Sequence, residues 1–175
     1  TGLIEVPLGT TLRTVIYDVG GGLVKGFKAV QTGGPSGGCL GEEYLDSPID
    51  YESLAAAGSI MGSGGLIVLD RNTCIVDTAR YFLNFTQAES CGKCVPCRVG
   101  TRHLVAILER ISKGKGEISD LSRLELLARA IKGGSLCGLG QTAPNPVLTA
   151  LKYFRGEFLA HIVDKVCPAG VCEIE

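Results

Sequence analysis

The sequence predicts an α+β chain: a small glycine-rich unit of strands and a helix, followed by a helical unit organised around a cysteine loop. Three observations carry this. Glycine supplies 25 of the 175 residues, roughly twice the usual ~7%, and most of it falls before residue 66. From Asn72 the apolar period changes from that of strands to that of helices. Between two of the helical stripes stands Glu89-Ser90-Cys91-Gly92-Lys93-Cys94-Val95-Pro96-Cys97-Arg98, with three cysteines at intervals of three.

In chain order, residues 3–8 alternate as a strand with Ile4, Val6 and Leu8 on one face, and Pro7 suits a sheet edge. Thr10 or Thr11 is a suitable cap for a helix striped by Leu12, Val15, Ile16 and Val19 and stopped by Gly20-Gly21-Gly22. Phe27–Gln31 reads as a second strand, and Leu66–Leu69 as a short strand of buried type. Ile75, Val76, Ala79, Phe82, Leu83 and Thr86 mark an amphipathic helix leading into the cysteine loop. Leu104, Val105, Leu108 and Ile111 mark the next, ending near Lys113–Gly116. A third helix is capped by Ser119 or Asp120, carries Leu121, Leu124, Leu127, Ala128 and Ile131, and stops at Gly133-Gly134. Asn145 caps a fourth, with Pro146 at its first position, and the apolar pattern continues through Phe158 and Leu159. Four helices with short connections suggest a four-helix bundle.

The totals narrow the function. With 17 basic and 18 acidic residues, the chain shows no footprint for nucleic acid or an anionic membrane surface. No apolar run approaches the ~18 residues of a membrane span. Eight cysteines without a signal peptide point to thiolate ligands in a reducing, cytoplasmic setting rather than to disulfides. The chain opens on Thr-Gly-Leu-Ile-Glu, without an initiator Met, and is expected to be a piece of a longer polypeptide.

Thiolates at C-x2-C-x2-C spacing hold three corners of an iron–sulfur cube, which needs a fourth ligand. The next cysteine after the loop is Cys137, in Gly134–Gly140. Cys91, Cys94, Cys97 and Cys137 are therefore the expected ligands of one [4Fe–4S] cluster. Structural zinc sites more often use two C-x2-4-C pairs, and a redox C-x-x-C would need a thioredoxin-like βαβ unit. The glycine segments at 33–38 and 62–65 fit neither a dinucleotide fingerprint nor a phosphate loop, and read as tight turns. Lys93, Arg98, Arg102 and the amides of Gly92 and Gly100 are candidates to stabilise added negative charge on the cluster, while His103 reads as a surface residue.

A second set of ligand types lies in the tail. His161, Cys167 and Cys172 are three of the four groups a tetrahedral zinc site takes, and Pro168-Ala169-Gly170 can turn the chain back. Cys74 is the preferred fourth ligand and Cys39 the weaker choice. Ordinary buried thiols, or ligation of a further cluster by Cys167 and Cys172, are the alternatives.

The run Glu-Ser-Cys-Gly-Lys-Cys-Val-Pro-Cys-Arg-Val-Gly-Thr-Arg, residues 89–102, resembles the cluster loop of the flavoprotein subunit of NADH dehydrogenases. That family recurs in respiratory complex I, in NAD-linked formate dehydrogenases and in NAD(P)-coupled [FeFe]-hydrogenases. Gly33–Gly38 and Ala57–Gly65 look like the same subunit's β-grasp domain. Val99 departs from the pattern, which more usually has an acidic residue there. The resemblance implies a β-grasp (SLBB-like) domain over 1–70, a helical 4Fe–4S domain over 71–165, and a tail, 166–175, leading to a further domain. It also implies FMN and NAD(P)H in a preceding domain of the complete subunit, with no catalytic residue in this segment. Expected partners are the other iron–sulfur, hydrogenase or dehydrogenase subunits of a redox complex. Residues 160–172 resemble the junction to an extra ferredoxin-like domain in the hydrogenase type. A complex I or formate dehydrogenase fragment, or a non-redox zinc-binding module, is the alternative.

Overall fold

The computed structural model describes residues 1–174. Strand β1 (Phe27–Thr32) is buried along nearly its whole length because it is the middle strand. A glycine turn returns the chain into β2 (Cys39–Leu40), antiparallel to β1 with Val30 opposite Leu40 and Gln31 opposite Cys39. After helix α1 (Tyr51–Ala56), whose first turn is capped by Asp50 accepting from the Ser53 amide at 2.6 Å, the chain forms β3 (Leu66–Asp70) on the other side of β1. Among the described residues the sheet order is β2-β1-β3, all antiparallel. Ala29 and Val30 serve opposite faces, as strand geometry requires. Val30 joins Leu12, Ile16, Phe27, Leu40, Leu45 and Leu54 in one core, while Ala29, Cys39 and Leu69 join the helices in another. A register shift between Phe27 and Ala29 puts Phe27 on Val30's side.

The rear half is helical. Helix α2 (Ile75–Ala88) buries Ile75, Val76, Ala79, Phe82, Leu83 and Thr86, the stripe its periodicity predicts. Helix α3 (Thr101–Ser112) buries Leu104, Val105, Leu108 and Ile111 as expected. Helix α4 (Ile118–Gly134), the short α5 (Gly138–Thr142), α6 (Asn145–Tyr153) and α7 (Arg155–Leu159) follow. Leu83, Leu104, Leu108, Leu124, Val147 and Phe158 meet in their shared core.

Several expectations fail for identifiable reasons. Residues 3–8 form no strand: Ile4 and Leu8 are exposed, and no backbone ladder completes their hydrogen bonds among the described residues. The helix after Thr11 widens to π-type bonding over Thr14–Val19, where the Gly20 amide donates to Val15 O, and Val19 faces solvent. The β3 segment is not a doubly covered strand, since Ile67 is 44% exposed on an edge. Helix α4 is capped by Glu117 instead of Ser119 or Asp120. Asp120 reaches back to accept from the Glu117 amide at 2.9 Å, fully buried beside Arg110 and Arg123. That reciprocal box satisfies two orphan helix donors at once. Gly133 and Gly134 lie inside the last turn of α4. Asn145 is not a cap either. Its side chain accepts from Lys132 Nζ at 2.8 Å and donates to Ser36 O at 3.0 Å, bridging α4 to the glycine turn. The expected fourth helix breaks at Phe154, whose φ of −126° ends α6.

Leu83 is wholly buried between the helices. Leu83→Ala is expected to destabilise the fold by about 2–5 kcal/mol, measured by urea unfolding. Leu126→Ala, at a 74% exposed position, should stay within about 0.5 kcal/mol.

Candidate metal centres

Helix α2 ends at Ala88, and the cysteine loop follows before Pro96 opens a π-type turn, Pro96–Gly100, that runs directly into α3. Proline suits that first position, where its missing N–H would have had no partner. Cys137 comes from the far end of α4, in the bend that starts α5. All four cysteines, Cys91, Cys94, Cys97 and Cys137, line one cavity of about 110 Å³, together with Glu89, Ser90, Lys93 and Leu139. Cys97 is buried at its floor, Cys94 is half-buried, and Cys91 and Cys137 are exposed at its mouth.

Local hydrogen bonds shape this loop. Gly92 adopts φ +74°, a left-handed turn that glycine accommodates without strain, and its amide donates to Ser90 Oγ at 3.3 Å. Arg98 donates to Gly92 O at 2.6 Å and so clamps the loop. Ser90 Oγ lies 3.2 Å from Cys97 Sγ. The amides of Leu136 and Cys97 hold the Cys94 thiol below its ordinary pKa, favouring the thiolate a metal needs. Ser135 Oγ is buried and makes no hydrogen bond among the described residues. Four thiols around one cavity, with a buried polar atom left over beside them, fit an iron–sulfur cluster. Of the basic candidates, Lys93 lines the cavity, whereas Arg102 and His103 are exposed on α3. Val99 is exposed on the adjoining turn.

Packing around the cavity leaves no spare volume at Gly140. A Cβ there would sit 2.4 Å from Ser135 Oγ and 3.0 Å from Cys97 Cβ. At Gly134 a Cβ would lie 3.1 Å from Pro96 Cγ, so the end of α4 is glycine where the cysteine loop crosses it.

The second group lies at the opposite end of α2. Cys74 caps that helix, its sulfur accepting from the Asp77 amide at 3.5 Å. After α7 the chain passes through another π-type turn, Ala160–Asp164, and reverses at Lys165, whose φ is +55°. A turn from Cys167 to Gly170 then brings Cys172 inward. The ligand atoms of Cys74, His161, Cys167 and Cys172 all lie within 4.8 Å of one another. Cys74 Sγ is 3.6 Å from His161 Nε2 and 3.6 Å from Cys172 Sγ, and His161 Nε2 is 3.5 Å from Cys172 Sγ. Bond lengths of ~2.3 Å for Zn–S and ~2.0–2.1 Å for Zn–N imply tetrahedral edges of about 3.8 and 3.5 Å. The group therefore has the size of one ion. A cube would hold its ligands further apart, because each sulfur binds a different corner.

His161 Nδ1 lies 2.7 Å from Glu157 O, a bond in which the ring N–H donates and Nε2 is left free to face the sulfurs. The Glu157 carboxylate accepts from the Ile75 amide at 3.0 Å and pairs with Lys28 at 2.5 Å, tying this corner to the sheet. Burial pushes the Cys74 thiol up, and it pushes the Cys172 thiol up to about 11. Burial also pushes Cys167 up, but the amides of Cys172 and Val171 outweigh it and bring that thiol down to about 6. Cys39 stands apart, wholly buried in the sheet with its thiol pushed up to about 12 by burial. Sequence reasoning missed Glu157, Ser90 and Ser135. Only Glu157 left a signal, its i, i+4 spacing to His161 on one helical face.

Residues 77–161 match a family described as the NADH-ubiquinone oxidoreductase-F iron-sulfur binding region. The chain is 59% identical over 173 residues to NADP-reducing hydrogenase subunit HndC of Solidesulfovibrio fructosivorans, covering 98% of this chain and 35% of that protein. It is 44% identical over 169 residues to the F 2 subunit of NADH-quinone oxidoreductase of Rhizobium meliloti (strain 1021), covering 95% of this chain and 40% of that one. Among solved structures, the NAD+-reducing [NiFe]-hydrogenase in the H2-reduced state superposes with a TM-score of 0.80 at 33% identity, covering 90% of this chain and 26% of that one. Fold and cavity thus define an iron–sulfur binding segment. More particularly, residues 77–161 match the iron–sulfur binding region of the F subunit of NADH-ubiquinone oxidoreductase, which bears out the resemblance read from the cysteine loop. The chain spans about a third of the length of these relatives.

Gly140→Ala is expected to displace Ser135 or Cys97 and lower the iron bound per chain by at least half, as read by iron analysis after reconstitution. Gly133→Ala, where an added Cβ meets nothing within 4 Å, should leave iron unchanged.

Proposed function

We propose that this chain is the electron-transfer part of an NAD(P)H-linked oxidoreductase subunit, with one [4Fe–4S] cluster held by Cys91, Cys94, Cys97 and Cys137. The observation that carries this reading is the meeting of four cysteines, from two loops 40 residues apart in sequence, around a single cavity. A bound [4Fe–4S] cluster supplies one-electron redox chemistry. The chain's own residues hold the sulfurs in place: Arg98 clamps the loop, α4 and α5 present Cys137, and Leu139 closes one wall. FMN and NAD(P)H belong to the preceding part of the complete subunit, so this segment passes electrons singly to further iron–sulfur centres.

Within the family, the hydrogenase type is favoured by the tail and by the higher identity to a hydrogenase subunit than to the quinone-linked one. We assign residues 1–70 to a β-grasp domain, 71–165 to a helical domain of four-helix-bundle type, and 166–175 to a tail leading onward. The partners are the other iron–sulfur and hydrogenase or dehydrogenase subunits of a multi-subunit redox complex, placed in the cytoplasm. Among the described residues no helix is long and apolar enough to cross a membrane. We assign one zinc ion to Cys74, His161, Cys167 and Cys172, on the tetrahedral size of that group and the orienting Glu157 carbonyl. There it pins the tail to the start of α2 and sets the direction in which the chain leaves.

Cys137→Ser is expected to lose the reduced-state EPR signal of the cluster and to bind less iron, because a cube needs four thiolates. Full iron content with an unchanged spectrum would remove Cys137 from the ligand set. For the second centre, metal analysis of the purified chain should find about one zinc, lost in His161→Ala and in Cys74→Ala while the iron signal persists. A parent chain without zinc would end that assignment.

A further inference from the structure

We propose that the Ser90 and Ser135 hydroxyls donate hydrogen bonds into the sulfur shell of the cluster, Ser90 to the Cys97 thiolate and Ser135 from the loop that carries Cys137, and so raise its midpoint potential. This inference rests on the [4Fe–4S] reading of the cavity. At Ser90 the direction of the bond is determined by its neighbours. The Gly92 amide already donates to Ser90 Oγ at 3.3 Å, which occupies an oxygen lone pair. Cys97 Sγ lies 3.2 Å from the same oxygen. A thiolate has no proton to give, so the hydroxyl proton goes to sulfur. Cys97 is only 5% exposed, and water therefore competes little for that bond.

Ser135 reaches the site from the other loop. Its backbone is held on both sides: its amide donates to Ile131 O at 3.0 Å, and its carbonyl accepts from Gln141 Nε2 at 3.1 Å. Its hydroxyl is the part left over. Ser135 is 6% exposed, and Oγ makes no hydrogen bond among the described residues. A buried hydroxyl without a partner carries a desolvation cost, which an acceptor in the adjacent cavity removes. Gly140 leaves a gap that Ser135 Oγ and Cys97 Cβ both border, 2.4 and 3.0 Å from where a Cβ would stand.

Reduction adds one negative charge to the cluster, and a donor aimed at its sulfurs stabilises the reduced form more than the oxidised one. Removing the donor therefore lowers the potential. The test is an EPR-monitored redox titration of the 175-residue chain reconstituted with iron and sulfide. For Ser90→Ala and for Ser135→Ala the expected result is a roughly tenfold shift of the reduced-to-oxidised ratio at fixed solution potential, equivalent to a lowering of about 59 mV for a one-electron couple. Ser90→Thr, which keeps the hydroxyl, should hold the parent value. Alanine variants with full iron and an unshifted potential would overturn the inference, as would a threonine variant that shifts as far as alanine. Should an alanine variant fail to bind iron, the parent decides alone. Its iron–thiolate Raman stretches are expected to move within minutes of transfer to D2O, before buried amides exchange, and unmoved bands would end the proposal. A parent chain that takes up no cluster at all would instead refute the reading on which the inference rests.

Discussion

The packing of α2 against its neighbours is the constraint on which both centres depend. Its apolar stripe, from Ile75 to Thr86, seats it on α3 and α6. With 14 residues it is ~21 Å long. Its first turn is capped by Cys74 and its last turn hands the chain to the cysteine loop, so one rigid rod separates the two groups of thiols. Were that stripe to slip by a turn, Cys74 would leave His161, and Cys91 would leave Cys137. The placing of both groups of thiols is a consequence of hydrophobic register.

The two candidate centres differ in how the chain supplies their side chains. At the cavity, three cysteines come from one short loop and only Cys137 is remote. Much of the cost of organising that site is met locally, by the Gly92 turn, the Arg98 clamp and the helical start at Pro96. In the tail group, the remote member is Cys74, and the other three arrive on a segment that reverses at Lys165. Ion binding at such a site stabilises the folded arrangement that creates it. Glu157 contributes to this corner twice, through its carbonyl to His161 and through its carboxylate to the Ile75 amide and Lys28.

The sheet and the helices share more than an edge. Ala29, Cys39 and Leu69 lie in the same core as α2 and α6, and the Cys39 amide donates to Thr149 Oγ1 at 3.0 Å. Asn145 ties the glycine turn to α4 as well. A shift of the sheet would therefore be felt at the ends of the helices that present ligands.

Periodicity by itself determined the interior stripes of α2 and α3, because burial of one helical face follows directly from residue order. It equally determined the C-x2-C-x2-C loop, whose chemistry is set by local spacing, and the inventory of ligand types in the tail. Tertiary structure decided what no local pattern holds. Whether residues 3–8 form a strand depends on a partner backbone, and none pairs with them among the described residues. Whether Asn145 caps or bridges depends on Lys132 and Ser36 standing near it. The nearness of Cys74 to His161, 87 positions apart, and the meeting of Cys137 with the cysteine loop around one cavity likewise come from packing between distant segments. Contacts of that kind are fixed by the fold of the whole core, not by the residues on either side.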